Sequence, residues 1–375
     1  MQTLARLLHS FASFSLVAAV AGCSSSSPGS NAGGDAGATG QSLSEWFCPN
    51  ATVQSCGMQL SVCGVCVPAP PSQNIQRTSG WREYSGTGDP DLSCFDQGSP
   101  ALAPLDTANS KLVNMRGWVR IFANGPDSNN VKIEVFKEGV NGALGDKVGE
   151  ANADGALTTF SDGAAAGTKT EQITGQAGGT ITRTLYPYEV KSSVPTETPL
   201  IVRTTATGSA GWMPLYDYNI VARNSALVAP TNGATQSAFD YDVQALGNDD
   251  YGSILRAAYS RPPVGGQSAI AGEVHDCGDV RIKWATVGMW PRDPLGLFYL
   301  SDVEDNPLPS AGLTSTAGMG LYAAGGINPG PYTVAALGTW QGKTVSLGTY
   351  TVQTFPDSVT AISFRGLRPW QVPTK

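Results

Sequence analysis

The chain has 375 residues, with 23 Lys and Arg against 30 Asp and Glu and a formal net charge of −7. That balance argues against a nucleic-acid partner, whose phosphates call for a basic surface. Only 14% of residues are charged, whereas Gly (45) and Pro (25) are plentiful; this is the composition of short strands and frequent turns, in a chain long enough for two domains.

The first residues read as a targeting segment. Arg6 supplies a positive start, Phe11 to Val20 an apolar run, and Ala21 and Gly22 the small residues a processing peptidase needs. The run is too short to span a bilayer. Val20-Ala21-Gly22-Cys23 resembles the lipobox of bacterial lipoproteins, with Val20 where Leu is usual. The resemblance implies that residues 1–22 are a signal peptide and that Cys23 carries the lipid, so the protein's first partner is a membrane. Loss of Arg6 takes the net charge from −7 to −8. Ser24 stands where an Asp would resemble the inner-membrane retention signal, so the expected location is the cell envelope, at the outer membrane. No later hydrophobic run approaches 18 residues. Residues 23–42 are rich in Ser, Gly and Ala and read as a flexible tether.

Residues 43–110 form a cysteine-bearing segment broken by Pro68, Pro70 and Pro71. With Cys23 lipidated, six cysteines remain: Cys48, Cys56, Cys63, Cys66, Cys94 and Cys277. An even count in an exported chain favours disulfides, although six cysteines permit fifteen pairings. The spacing also admits a zinc reading, but only Cys63 and Cys66 make the tight pair such sites use. The expectation is that the four clustered cysteines pair among themselves, which leaves Cys94 to Cys277.

From Lys111 the pattern is β. Strands are predicted at Leu112 to Ile121, Val131 to Phe136, Ile181 to Val190, Leu200 to Thr205 and Tyr216 to Ala222, giving a first sandwich over 111–222. The stretch between Phe136 and Gly179 is polar and Gly-rich. Residues 223–267 read as a linker with one strand at Ala238 to Val243. They also hold a short helix at Asp249 to Ala258, with Tyr251, Ile254, Leu255 and Ala258 on one face and Asn248 or Asp249 as its cap. A second sandwich follows over 268–375. Its strands are Ala269 to Val274, two in Val280 to Trp290, Gly320 to Ala324, Tyr332 to Leu337, Val345 to Gln353 and Val359 to Phe364. Val345, Leu347, Thr349, Thr351 and Gln353 are placed on one face.

The two units echo each other: Arg116-Gly117-Trp118-Val119 has a counterpart in Ala271-Gly272-Glu273-Val274. Gly272 to Gly278 and Asn328-Pro329-Gly330-Pro331-Tyr332-Thr333-Val334 resemble the opening and the P-G-x-Y-x-V strand of carboxypeptidase regulatory-like domains. The resemblance implies two tandem prealbumin-like or Ig-like β-sandwiches and speaks to fold more than to activity. A related fold carries the iron of intradiol dioxygenases on two tyrosines and two histidines. Here His275 is the only histidine beyond the signal, so that site cannot be assembled.

Three groups of residues carry side chains suited to binding or catalysis. His275, Asp276, Cys277 and Asp279 lie at a strand end. Asp127, Asn129 and Asn130, and separately Asp154 and Asp162, offer oxygens to calcium without the acidic ladder of an EF-hand. Trp212, Tyr216 and Tyr218 are placed as a glycan-stacking platform. The reading is a non-enzymatic envelope lipoprotein with a binding or structural role and a glycan or protein partner. A carbohydrate-binding accessory protein is the alternative, a hydrolase the third, and no cofactor is expected.

Overall fold

Period-two apolar patterning becomes strand almost wherever it occurs, because alternate side chains find a layer to pack against on one or both faces. The computed structural model describes residue 56 and residues 59–95, 105–123, 125, 127–174, 179–292 and 295–365. Cys23, Cys48 and the expected signal and tether lie outside the described residues. The N-terminal segment contributes the hairpin of β1 (Leu60–Val62) and β2 (Val65–Val67), then β3 (Gln76–Arg77). The first half holds β4 (Leu112–Ile121), β5 (Val131–Glu138), β6 (Leu144–Asn152), β7 (Lys169–Thr174), β8 (Thr180–Leu185), β9 (Pro187–Pro195), β10 (Pro199–Ala206), β11 (Trp212–Met213) and β12 (Leu215–Val221). Next come β13 (Ala238–Asp240), β14 (Val243–Gly247) and α1 (Asn248–Tyr259). The second half holds β15 (Ser268–Glu273), β16 (Ile282–Lys283), β17 (Thr286–Trp290), β18 (Phe298–Tyr299), β19 (Leu321–Ile327), β20 (Gly330–Trp340), β21 (Lys343–Thr354) and β22 (Ser358–Ala361).

The fold is mainly β, two sandwiches in tandem, and they share a sheet. Eight strands run in the order β18-β19-β15-β22-β12-β10-β5-β6. The expected boundary between 222 and 268 therefore does not divide the sheet: β22 pairs parallel with β15 on one side and with β12 on the other. The two flanking layers lie on opposite faces. On one face Ile201, Tyr216, Tyr218, Ile270, Tyr322 and Ile362 share a core with Val287, Val334, Tyr350 and Val352 of the β17-β20-β21 sheet. On the other face Val131, Ile133, Leu200, Val202 and Ile220 pack on Met115, Val119, Tyr188 and Val190 of β4 and β9. On that second face α1 and β14 cover β12, β15 and β22 through Leu246, Tyr251 and Leu255.

The echo between the halves has a geometric basis. Gly117 of β4 pairs with Tyr188 of β9, and Gly272 of β15 pairs with Tyr322 of β19. A parallel strand on the other side of each glycine ends in a carbonyl, Tyr241 or Ile362, that crosses over it. A Cβ would sit 2.3 Å from Tyr241 O at Gly117 and 1.9 Å from Ile362 O at Gly272. The facing tyrosine donates its hydroxyl to that same carbonyl, at 2.5 Å from Tyr188 and 2.6 Å from Tyr322.

Several expectations are corrected. Ile181 to Val190 is two strands, because Pro187 has no N–H to continue the ladder. The polar stretch after Phe136 contains the edge strands β6, whose polar side chains largely face solvent, and β7, whose Glu171 is instead held in ion pairs. The linker lends two strands, β13 and β14, both parallel to β4. Gly247, with no capping side chain, precedes α1 in place of Asn248 or Asp249, and Ser260 in the left-handed region ends it. In β21 the inward set changes parity: Leu347 is buried, then Tyr350 and Val352, so Thr349, Thr351 and Gln353 do not share its face. The register shift lies opposite Gly348, whose φ of 122° places a bulge there.

Cys56 bonds to Cys66 and Cys94 to Cys277. The expected long-range bridge is present, and it joins the N-terminal segment to the second half.

A candidate ligand cavity on the shared sheet

His275 is fully buried and fully engaged. Its Nε2 lies 2.6 Å from Glu273 Oε2 and its Nδ1 2.7 Å from Asp279 Oδ1. Tyr84 covers the ring at 4.7 Å between centroids. With a carboxylate against each nitrogen and no exposed ring edge, the imidazole is committed to local contacts and presents neither nitrogen to a substrate. Asp276 points elsewhere. It receives Arg77 Nε at 2.5 Å and the backbone N–H groups of Asp91, Gly278 and Val280, so it fixes the turn that Cys277 bridges. Glu273 also receives Arg281 at 2.8 Å. Burial would raise the Glu273 carboxyl, but Arg281 and then His275 outweigh it and hold it well below the usual range.

Glu273, Arg281 and Tyr84, the partners of His275, line one end of a cavity of about 160 Å³ on the face that α1 covers, and His275 itself lies behind them. The cavity floor is a row of residues in direct register across the sheet. Ala323 of β19 faces Ala271 of β15, Ala271 faces Ala361 of β22, and Ala361 faces Asp217 of β12. The sequence Ala269-Ile270-Ala271-Gly272-Glu273 places small side chains and then a carboxylate on one side of β15. Three methyl groups abreast leave space that larger residues would fill, and Tyr251, Ile254 and Leu255 of α1 roof it. The polar end is closed by Arg82, Glu83 and Tyr84. Arg82 bonds to Glu171 at 2.5 Å and to Glu304 at 3.0 Å, and Arg120 bonds to Glu83 at 2.6 Å. The 82–84 segment is thereby tied by ion pairs to both halves of the protein.

Asp217 ends the alanine row and accepts the Tyr241 hydroxyl. Burial pushes its carboxyl from 3.8 up to about 6, against the pull of that hydrogen bond and of Arg365. A raised carboxyl contributes stability that is present below its unfolded value and lost as pH rises through the folded one. A two-unit rise corresponds to a cost on the order of 3 kcal/mol once Asp217 ionises. Relative to the wild type, Asp217→Asn should therefore gain about 2–3 kcal/mol as pH goes from 4 to 8, any lost packing being the same at both ends and cancelling from the change. Urea unfolding across that range measures it. A difference independent of pH would mean that Asp217 does not titrate as described. Burial also raises Glu83, and it raises Asp250 to about 6, but both are common to the two proteins and drop out of the difference.

The aromatic platform expected from the sequence is not exposed. Trp212, Tyr216 and Tyr218 are 5%, 7% and 1% accessible. Trp212 Nε1 bonds to Asn129 O and the Tyr218 hydroxyl to Gly142 O. They fill the cores because β11 and β12 have layers on both faces. Asp127 accepts Thr184 N–H and Asp162 pairs with Arg116 at 2.8 Å, so both serve local structure. Among the described residues no group of three or more His, Cys, Asp or Glu is arranged to hold a metal ion. Also among them, no helix is long and apolar enough to cross a membrane.

No family model and no curated protein matches the chain. Among solved structures it is similar to the Bacillus anthracis TIE protein at 9% identity and a TM-score of 0.18, over 68% of this chain and 33% of that one. It is similar to a streptococcal ancillary pilin at 11% identity and a TM-score of 0.18, over 68% and 69% of the two chains. The chain thus spans about a third of the TIE protein. Scores at this level carry no argument about function, and the β fold rests on the strands themselves.

Proposed function

We propose that the protein is a non-enzymatic lipoprotein of the cell envelope, anchored through Cys23, whose β-sandwich unit binds a small ligand in the cavity beneath α1. The observation that carries the binding role is the registered alanine row ending in a titratable carboxylate. A concave space with an apolar floor and charged groups gathered at one end is a form that ligand sites take. A hydrolytic role finds no support, because both His275 nitrogens are occupied. The glycan reading loses its residues with the burial of Trp212, Tyr216 and Tyr218.

The cavity's capacity is tested by size. A cavity of about 150 Å³ with apolar walls holds a molecule such as benzene. Toluene should therefore raise the Tm saturably, by mass action on the folded state. Ala271→Leu, which fills the middle of the floor, should remove that rise. A toluene response unchanged in Ala271→Leu would place the binding elsewhere and end this reading.

A further inference from the structure

The polar end of the cavity has an uneven supply of partners. Glu171 is held by Arg82, Arg120 and Arg183, and Glu273 by Arg281 and His275. Arg365 is not saturated in this way. Its Nε lies 2.7 Å from Asp279 Oδ1 without hydrogen-bond alignment, and its terminal amino groups take no partner among the described residues. The guanidinium carbon lies 5.2 Å over the Tyr84 ring, and both residues line the cavity wall. A planar guanidinium with its outer fork open suits a carboxylate, which it can meet with two parallel bonds.

We propose that the cavity takes a small carboxylic acid with an apolar tail, its carboxylate on the outer fork of Arg365 and its tail along Ala361, Ala271 and Ala323. This inference rests on the reading of the cavity as a binding site and names the class of ligand. Asp217 stands between the two regions, at the end of the alanine row. The groups that act on it are the Tyr241 hydroxyl, the Tyr218 backbone N–H, Arg365 and Glu273; Glu83 and Tyr84 close the same end. Protonated, Asp217 offers a donor to the ligand carboxylate. Ionised, it repels the ligand and competes for Arg365. Binding is thus linked to uptake of one proton, shared between Asp217 and the ligand, and weakens as pH rises through about 6.

The test titrates the full chain, in a buffer free of carboxylates, with three ligands of one size: phenylacetate, 2-phenylethylamine and toluene. Phenylacetate should bind at least tenfold tighter than either of the others at pH 5, and at least fivefold more weakly at pH 8 than at pH 5. Arg365→Gln should cost phenylacetate at least tenfold more than it costs toluene, and Asp217→Asn should flatten the pH dependence. Toluene binding with phenylacetate no tighter would overturn the carboxylate class and leave the cavity reading standing. Tighter binding of 2-phenylethylamine would assign the receptor role to the carboxylates instead. If none of the three binds the wild type, both readings fall together.

Discussion

Gly272→Ala is expected to destabilise the protein by about 3 kcal/mol or more, since a backbone-to-methyl overlap in a packed interior has to move main chain. The new methyl would lie 1.9 Å from Ile362 O and 2.9 Å from the Tyr322 hydroxyl. The strand carrying Ile362 cannot retreat freely, because β22 is bonded on both edges. Displacing it also breaks the Tyr322 hydroxyl bond, which is worth about 1 kcal/mol on its own. Gly117→Ala should act in the same direction through Tyr241 O. Tyr322→Phe should cost about 1–2 kcal/mol as a buried carbonyl loses its donor. Because both changes act on Ile362 O, Gly272→Ala and Tyr322→Phe combined should cost less than their sum. Urea unfolding of the single and double variants measures all of this. Full additivity would show that glycine and tyrosine do not act on one carbonyl.

The second large effect belongs to the Cys94–Cys277 bridge, which closes a sequence separation of 183 residues. Chain entropy makes long closures the more stabilising ones, and losing such a bond costs about 2–5 kcal/mol. The bridge is set into local structure as well: Cys277 N–H bonds to Asp91 O, and Asp91 N–H bonds to Asp276. Replacing Cys94 and Cys277 together by Ser should therefore cost more than replacing Cys56 and Cys66, which are only 10 residues apart. Denaturation of the two double variants provides the comparison, and mapping of unreduced peptides confirms which cysteines are joined. A smaller loss from the long bridge would show that closure entropy is not what it contributes.

Much of this was legible in the sequence, for reasons that also mark where legibility stops. β5, β10, β12 and β15 were visible because β-branched and aromatic residues recur in short runs bounded by turn residues, and a strand's own residues report that. The Cys94–Cys277 pair was what remained once the four clustered cysteines were expected to pair among themselves. What could not be read is which layer covers which face. Tyr216 and Tyr218 look like an exposed aromatic pair until β21 is placed over them. Ala269, Ala271, Ala323 and Ala361 are ordinary small residues in their separate strands and become a floor only once the strands are in register. Arg365 was likewise silent, since its significance lies in having fewer partners than Arg281 or Arg183. One signal was available for Asp217: a lone carboxylate between Tyr216 and Tyr218 in a strand otherwise rich in apolar residues.

The place of β22 has a consequence for how the molecule comes together. It is the last of the described strands in the chain and lies fourth from one edge of the eight-stranded sheet. Until it arrives, β12 and β15 are open edges facing each other across a gap one strand wide, and each is a template for wrong pairing. The strands before it can form hairpins and local clusters, but the sheet closes only when β22 slides in parallel to both neighbours. That placement makes the two halves a single cooperative object, in which neither can come undone without releasing the strand that holds the other.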